Sequence, residues 1–208
     1  MAMTHDPTQL PDNLPPPVDD GAADHLRGAE VPPIALPATR GDRLRVDRVP
    51  AGFDRLVVYA YPMTGLPGVD SPPGWDEIPG ARGCTPESCG FRDHAAELAA
   101  AGATVVGLST QSTRYQAEAA DRLGLPFPLL SDARLELATA MRLPTFTLDL
   151  DAAHDGGGRT TLLKRLTLVV RDGVVEHAFY PVFPPDRHAA DVLAWVRANP
   201  SRAAGIGT

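Results

Sequence analysis

Cysteine is scarce in this chain, and long apolar runs are missing. Only two of the 208 residues are cysteine, Cys84 and Cys89. A secreted scaffold stapled by disulfides carries more of them, spread along the chain. These two sit five residues apart, and a bridge over so short a loop removes little chain entropy. The spacing points to a redox or catalytic pair, with two inert core thiols as the bland alternative. No stretch approaches the ~20 apolar residues of a membrane span. The first 17 residues have neither a basic start nor an apolar run, so they do not read as a secretory signal. The expected compartment is cytoplasmic. Basic residues are in the minority: 19 Lys and Arg against 26 Asp and Glu give a net charge of −7. That balance argues against a nucleic-acid partner.

What is present suits a soluble globular protein. Hydrophobic residues make up 43% and charged residues 22% of the chain, enough for a core without staples. Residues 1–28, rich in Pro, Asp and Gly, read as a disordered extension. Residues 29–208 read as one domain. Pro32 to Leu36 and Leu44 to Val46 suggest a short hairpin. Arg55 to Tyr61 (RLVVYAY) is an apolar run fit for a strand buried on both faces, and Pro62 ends it. A long Pro/Gly-rich loop follows as far as Gly83. Thr85 to Ala101 reads as one helix, with Pro86 near its start and Gly102 at its stop.

Strand Thr104 to Ser109, helix Thr113 to Leu123, strand Pro128 to Leu130 and helix Ala133 to Met141 follow in turn. Strands Thr145 to Leu150, Leu166 to Arg171 and Val174 to Phe179 come next, the last two joined by a turn at Asp172-Gly173. A helix over His188 to Arg197 closes the domain. This order predicts an α/β fold with a central mixed sheet flanked by helices.

The chemistry is concentrated in Gly83-Cys84-Thr85-Pro86-Glu87-Ser88-Cys89-Gly90-Phe91-Arg92-Asp93. Cys84 opens a predicted helix, where free N–H groups and the positive dipole end favour a thiolate. Arg82, Arg92 and Arg165 are candidate cations beside it. A thiolate that attacks a peroxide becomes a sulfenic acid, which a second thiol can capture. In an intact helix Cys89 is out of reach: five residues rise about 7.5 Å and turn about 140°. A disulfide needs Cα atoms within roughly 7 Å. Bonding the pair therefore requires the first turns to unwind, which Gly90 eases by about 1 kcal/mol relative to alanine.

The same segment resembles peroxiredoxins, most closely the Q type, also called bacterioferritin comigratory protein. Tyr61-Pro62 and Gly83 to Asp93 match that pattern. So do Val106 to Ser109, Leu125 to Asp132, Lys164 to Thr167 and His188-Ala189. The resemblance covers about residues 29–198. It implies a thioredoxin-like fold and a thiol peroxidase needing no metal or other cofactor. Cys84 would be the peroxidatic cysteine and Cys89 the resolving one, forming an intramolecular disulfide reopened by thioredoxin or a glutaredoxin-like dithiol protein. Arg165 would stabilise the thiolate and polarise hydrogen peroxide or an organic hydroperoxide. Glu87 and Arg92 would frame the site, and Tyr61 and Pro62 would wall the substrate pocket. Relatives of this kind are monomers or homodimers.

One departure stands out. The family carries a threonine three residues before its reactive cysteine, and here that position is Ala81. Pro62 lies 22 residues before Cys84, so residues 63–82 read as an insertion of roughly fifteen residues, long enough to be functional. Thr64 folds back to the sulfur, or Thr85 substitutes, or the role is empty; Thr64 is preferred because it stays beside Pro62. Trp75 either anchors this loop or offers a binding surface. The cluster Asp149, Asp151, His154 and Asp155 reads as a solvated acidic turn. Two other readings remain: a thiol–disulfide oxidoreductase or redox sensor, which usually carries C-x-x-C, and a non-catalytic interaction protein built on the same fold.

Overall fold

The computed structural model describes residues 10, 11 and 13–200. Residues 1–9 and 12 of the expected extension, and residues 201–208 at the end of the domain, lie outside the described residues. In chain order the strands are β1 (Ala35–Pro37), β2 (Arg43–Arg45), β3 (Arg55–Ala60), β4 (Ala103–Ser109) and β5 (Leu129–Ser131). Then come β6 (Thr145–Leu150), β7 (Gly158–Leu163), β8 (Leu166–Arg171) and β9 (Val174–Phe179). The helices are α1 (Cys84–Asp93), α2 (Ala95–Ala100), α3 (Thr113–Leu123), α4 (Glu136–Met141) and α5 (His188–Ala198).

Five strands form the central sheet in the order β5-β4-β3-β8-β9. β3 runs parallel to β4 and antiparallel to β8, so the sheet is mixed. Alternation along β3 feeds two cores. Leu56, Val58 and Ala60 join Val106, Leu108, Leu137 and Leu168 on one face. Val57 and Tyr59, with Tyr61 just beyond the strand, join Phe91, Leu98, Val192 and Val196 on the other. Gly107 lies opposite Tyr59 in the register. A Cβ there would come within 2.4 Å of the Leu129 side chain and 2.9 Å of the Tyr59 ring. Glycine is what lets Tyr59 lie flat over β4 and stack on Phe91 at 4.5 Å.

Three expectations need correcting. The predicted helix over 85–101 is two helices, broken at His94 between α1 and α2. The segment after β6 is not just a turn: β7 pairs antiparallel with β6 as a separate two-stranded sheet. The part of residues 1–28 nearest the domain is packed rather than loose. Ala23 and Leu26 belong to the core. The Asp20 carboxylate accepts from Lys164 at 2.6 Å and from the Tyr180 hydroxyl at 2.7 Å. Residues 28–31 then pair with the outer edge of β9 through Gly28, Ala29 and Val31, covering an edge that would otherwise be open to pairing. Leu26 has no exposed surface, so Leu26→Ala is expected to lower unfolding stability by about 2–5 kcal/mol in a denaturant titration. A loss below about 0.5 kcal/mol, the size of an ordinary surface change, would mean that this segment only drapes over the body.

Candidate active site

Three elements converge below the C-terminal ends of β3 and β4: the start of α1, the long loop after β3, and the turn between β7 and β8. Gly83 caps α1 with φ 104°. A Cβ on it would come within 2.3 Å of the Pro185 ring, so only glycine turns the chain tightly enough to start the helix at Cys84. Glu87 lies three residues on, and the helical repeat puts both side chains on one face. Arg165, from the β7–β8 turn, meets that face. Its Nη2 lies 3.1 Å from the Cys84 sulfur, and its Nη1 donates to the Glu87 carboxylate. All three nitrogens are engaged, because Nε donates to Gly80 O and Nη2 also donates to Ala81 O and Arg82 O. Arg165 thus ties the end of the long loop to the helix start. It and Glu87 are both fully enclosed.

The electrostatics revise one expectation. Burial pushes the Cys84 thiol up from its ordinary value. The Arg165 charge pulls it down, the Glu87 charge pushes it up again, and the Met63 backbone pulls it down. The helix start was expected to leave a readily ionised thiol; instead the sulfur has been stripped of water, and desolvation opposes its charged form. Its thiol hydrogen has an acceptor in Ala81 O at 3.6 Å. Burial likewise pushes the Glu87 carboxyl up, to about 7, against the pull of Arg165.

Cys89 is half-buried on the same helix and, like Cys84, carries a free thiol. Burial raises it, and the Arg92 guanidinium beside it pulls it down. Arg92 also donates to Leu123 O at the end of α3 (2.8 Å) and to Asp93 (2.8 Å). Tyr61 is wholly buried, and its hydroxyl donates to Gln116 Oε1 at 3.2 Å. Pro62 O accepts from Ser109 Oγ at 3.0 Å. Thr64 is also buried, but its hydroxyl donates to Gln111 Oε1 at 3.2 Å rather than to the sulfur. Gln111 carried no signal in the sequence, since a lone glutamine after a strand belongs to no motif.

The long loop has a small core of its own. Met63, Trp75 and Ala81 pack with Leu150 of β6 and Leu162 of β7, and the Trp75 ring lies 6.3 Å from Phe146. Trp75 is therefore an anchor. The acidic turn is also docked and not freely solvated. His154 is 3% exposed, bonded to Asp151 at 2.7 Å and to Asp70 O of the long loop at 3.0 Å. Asp155 accepts from the Ser112 hydroxyl at 2.6 Å. Among the described residues no cluster of three or more His, Cys, Asp or Glu is placed to hold a metal ion.

Residues 28–193 match the protein family described as Redoxin. Peroxiredoxin bcp1 of Schizosaccharomyces pombe is 30% identical over 155 residues, covering 74% of this chain and 67% of that protein. The chain belongs to the peroxiredoxin family. A putative peroxiredoxin bcp of Coxiella burnetii is 28% identical over 166 residues, 80% of this chain and 95% of its own length. Peroxidoxin BcpB from Mycobacterium tuberculosis superposes with a TM-score of 0.60 at 29% identity, covering 85% of this chain and 98% of its own. The mixed sheet flanked by helices is this family's thioredoxin-like fold.

One histidine of this peroxiredoxin adds to its loss of stability in acid. His188, at the start of α5, is 4% exposed and bonded to Thr167 Oγ1 at 2.8 Å. Burial, helped by the Arg165 charge, lowers it from 6.5 to about 3. Between those values the unfolded chain binds a proton that the folded one refuses, so stability falls as pH drops from 6.5 toward 3. Glu87 acts with opposite sign from 4.5 to about 7, where the folded chain holds the extra proton. Denaturant midpoints are expected to fall between pH 4.5 and pH 3, below the range where Glu87 offsets the histidine, and to fall less in His188→Gln. An equal fall in that variant would remove His188 as the cause.

Proposed function

We propose that this peroxiredoxin is a thiol peroxidase in which Cys84 is the peroxidatic cysteine and Cys89 the resolving one. The Cys84 thiolate attacks one peroxide oxygen and the O–O bond breaks. With one proton taken up, the products are Cys84 sulfenic acid and water, or an alcohol from an organic hydroperoxide. The Cys89 thiol then displaces that hydroxyl as water and forms the Cys84–Cys89 disulfide. A dithiol protein such as thioredoxin, or a glutaredoxin-like one, reduces it by exchange. The observation that carries this reading is the Arg165 guanidinium at 3.1 Å from the Cys84 sulfur, a fixed donor where negative charge sits and moves. A cytoplasmic thiol pool would suit such a cycle. The interaction-protein reading loses its best surface with Trp75 buried.

The test is one equivalent of hydrogen peroxide followed by intact-mass and peptide analysis. A loss of two hydrogens, with Cys84 and Cys89 linked in one peptide, is expected. Cys89→Ser should instead stop at the sulfenic acid and over-oxidise to sulfinic acid with excess peroxide. Two free thiols surviving the treatment would refute the proposal.

A further inference from the structure

We propose that the chain from Leu10 to Pro17 is a strap across the reactive site, and that Leu10 sets how large a hydroperoxide can reach Cys84. The inference deepens the peroxidase reading and rests on Cys84 being the reacting group.

The strap meets the body at residues that adjoin Arg165 or Cys84 or bind one of them. Just past its inner end it is fixed by Asp20, whose carboxylate accepts from Lys164 at 2.6 Å and from the Tyr180 hydroxyl at 2.7 Å. Lys164 is the chain neighbour of Arg165. Pro17 lies over Gly80, where a Cβ would stand 3.6 Å from the proline ring. Gly80 O is in turn the acceptor for Arg165 Nε at 3.3 Å. Leu10 reaches Gly83, where a Cβ would come within 3.0 Å of the leucine Cδ2. Gly83 precedes Cys84 and caps α1. The three points of contact thus run from the Arg165 side of the site to the Cys84 side.

Cys84 is 4% exposed and Arg165 3%, so a peroxide has to pass what stands over the helix start. Two side chains close on Gly83, those of Pro185 and Leu10. Pro185 leads straight into α5, and the core holds that helix through Ala189, Val192 and Val196. Leu10 is therefore the side that can yield. Between its two ends the strap stands off the long loop. A cleft of about 420 Å³ separates them, with Leu14 and Pro15 on one side and Asp76 and Glu77 on the other. Pro15, Pro16 and Pro17 stiffen the strap, so laying it down costs little chain entropy. A stiff cover held at its ends and hollow between them admits a small hydroperoxide and resists a bulky one.

The experiment uses the full chain with Cys89→Ser as the parent, so that Cys84 is the one thiol. Sulfenic acid formation is timed with hydrogen peroxide and with cumene hydroperoxide. Alkylation of the same sulfur is timed with N-methylmaleimide and with N-phenylmaleimide. Each pair shares its reacting group and differs in bulk. Leu10→Ala is expected to raise the bulky-to-small rate ratio about tenfold in both pairs, the scale on which a packed site discriminates by one methylene. Asp20→Ala, which frees the inner end, should move the ratio the same way, and Leu10→Trp should lower it. A substitution that changed only the fold or the reactivity of the sulfur would move both members of a pair together and leave the ratio alone. Equal ratios in the parent and in folded Leu10→Ala and Asp20→Ala would overturn the strap and leave the peroxidase reading intact. A maleimide ratio that shifts on substitution, in a chain whose Cys84 neither peroxide oxidises, would overturn the peroxidase reading and leave the strap.

Discussion

Arg165→Met is expected to lose both stability and activity, about 3–5 kcal/mol of the first and about 10²–10³-fold of the second. The stability loss does not come from the missing contact with sulfur. It comes from Glu87, which has no exposed surface and a second carboxylate oxygen, Oε1, with no hydrogen-bond partner among the described residues. Without the guanidinium that carboxyl faces a dry core, and three carbonyls of the loop end, Gly80, Ala81 and Arg82, lose a donor each. The double variant Arg165→Met, Glu87→Leu separates the two losses. It removes the orphaned acid, so most of the stability should return in a denaturant titration. Peroxide reduction should stay low, because the donor on the sulfur is still gone. If the double variant remained as unstable as the single one, Arg165 would be holding the fold through the loop carbonyls alone.

How far the sequence revealed this site depends on the kind of interaction. β3 was legible because an unbroken apolar run can satisfy two cores at once. The bounds of α3 were legible because its signals are local: Ser112 accepts from the Tyr115 N–H, and Gly124 closes the helix at φ 61°. The break at His94 was not legible, since Phe91 and Leu98 keep helical spacing across it and the His94 N–H still reaches Gly90 O. β7 (GRTTLL) escaped because its outer half is exposed and polar; its pairing with β6 makes it a strand. His154 and Asp155 read as solvated for the same reason, and tertiary partners on the long loop and Ser112 overrule their polarity. Cys84, Glu87 and Arg165 could be named from motif matches. The desolvation that raises the Cys84 thiol, and the hydrogen bond that Thr64 gives to Gln111, depend on distant residues folding together and leave no trace in spacing.

Cys84→Ser is expected to cut peroxide reduction by at least about 10³-fold, the scale of removing a nucleophile that acts with its partners as a unit. The same variant tests the helix. Cys84 and Cys89 both lie within α1, so the disulfide can close only if the backbone between them leaves the helical form. That opening moves Phe91, wholly buried between Tyr59 and the His188 ring, and re-exposing such a side chain costs about 1.5–3 kcal/mol. Gly90 sits where a Cβ would approach the Ala189 side chain to 3.3 Å, so the bare backbone both lets α1 seat against α5 and lowers the cost of leaving. Arg92 must also release Leu123 O. Peroxide treatment of the wild type should therefore raise amide hydrogen exchange across Cys84–Asp93 while β3 and β4 stay protected. Cys84→Ser, with no sulfenic acid to capture, should show no change, and Cys89→Ser should oxidise while keeping α1 protected. Full protection of α1 in a sample shown by mass to hold the Cys84–Cys89 bond would mean that the two sulfurs meet by some route other than unwinding.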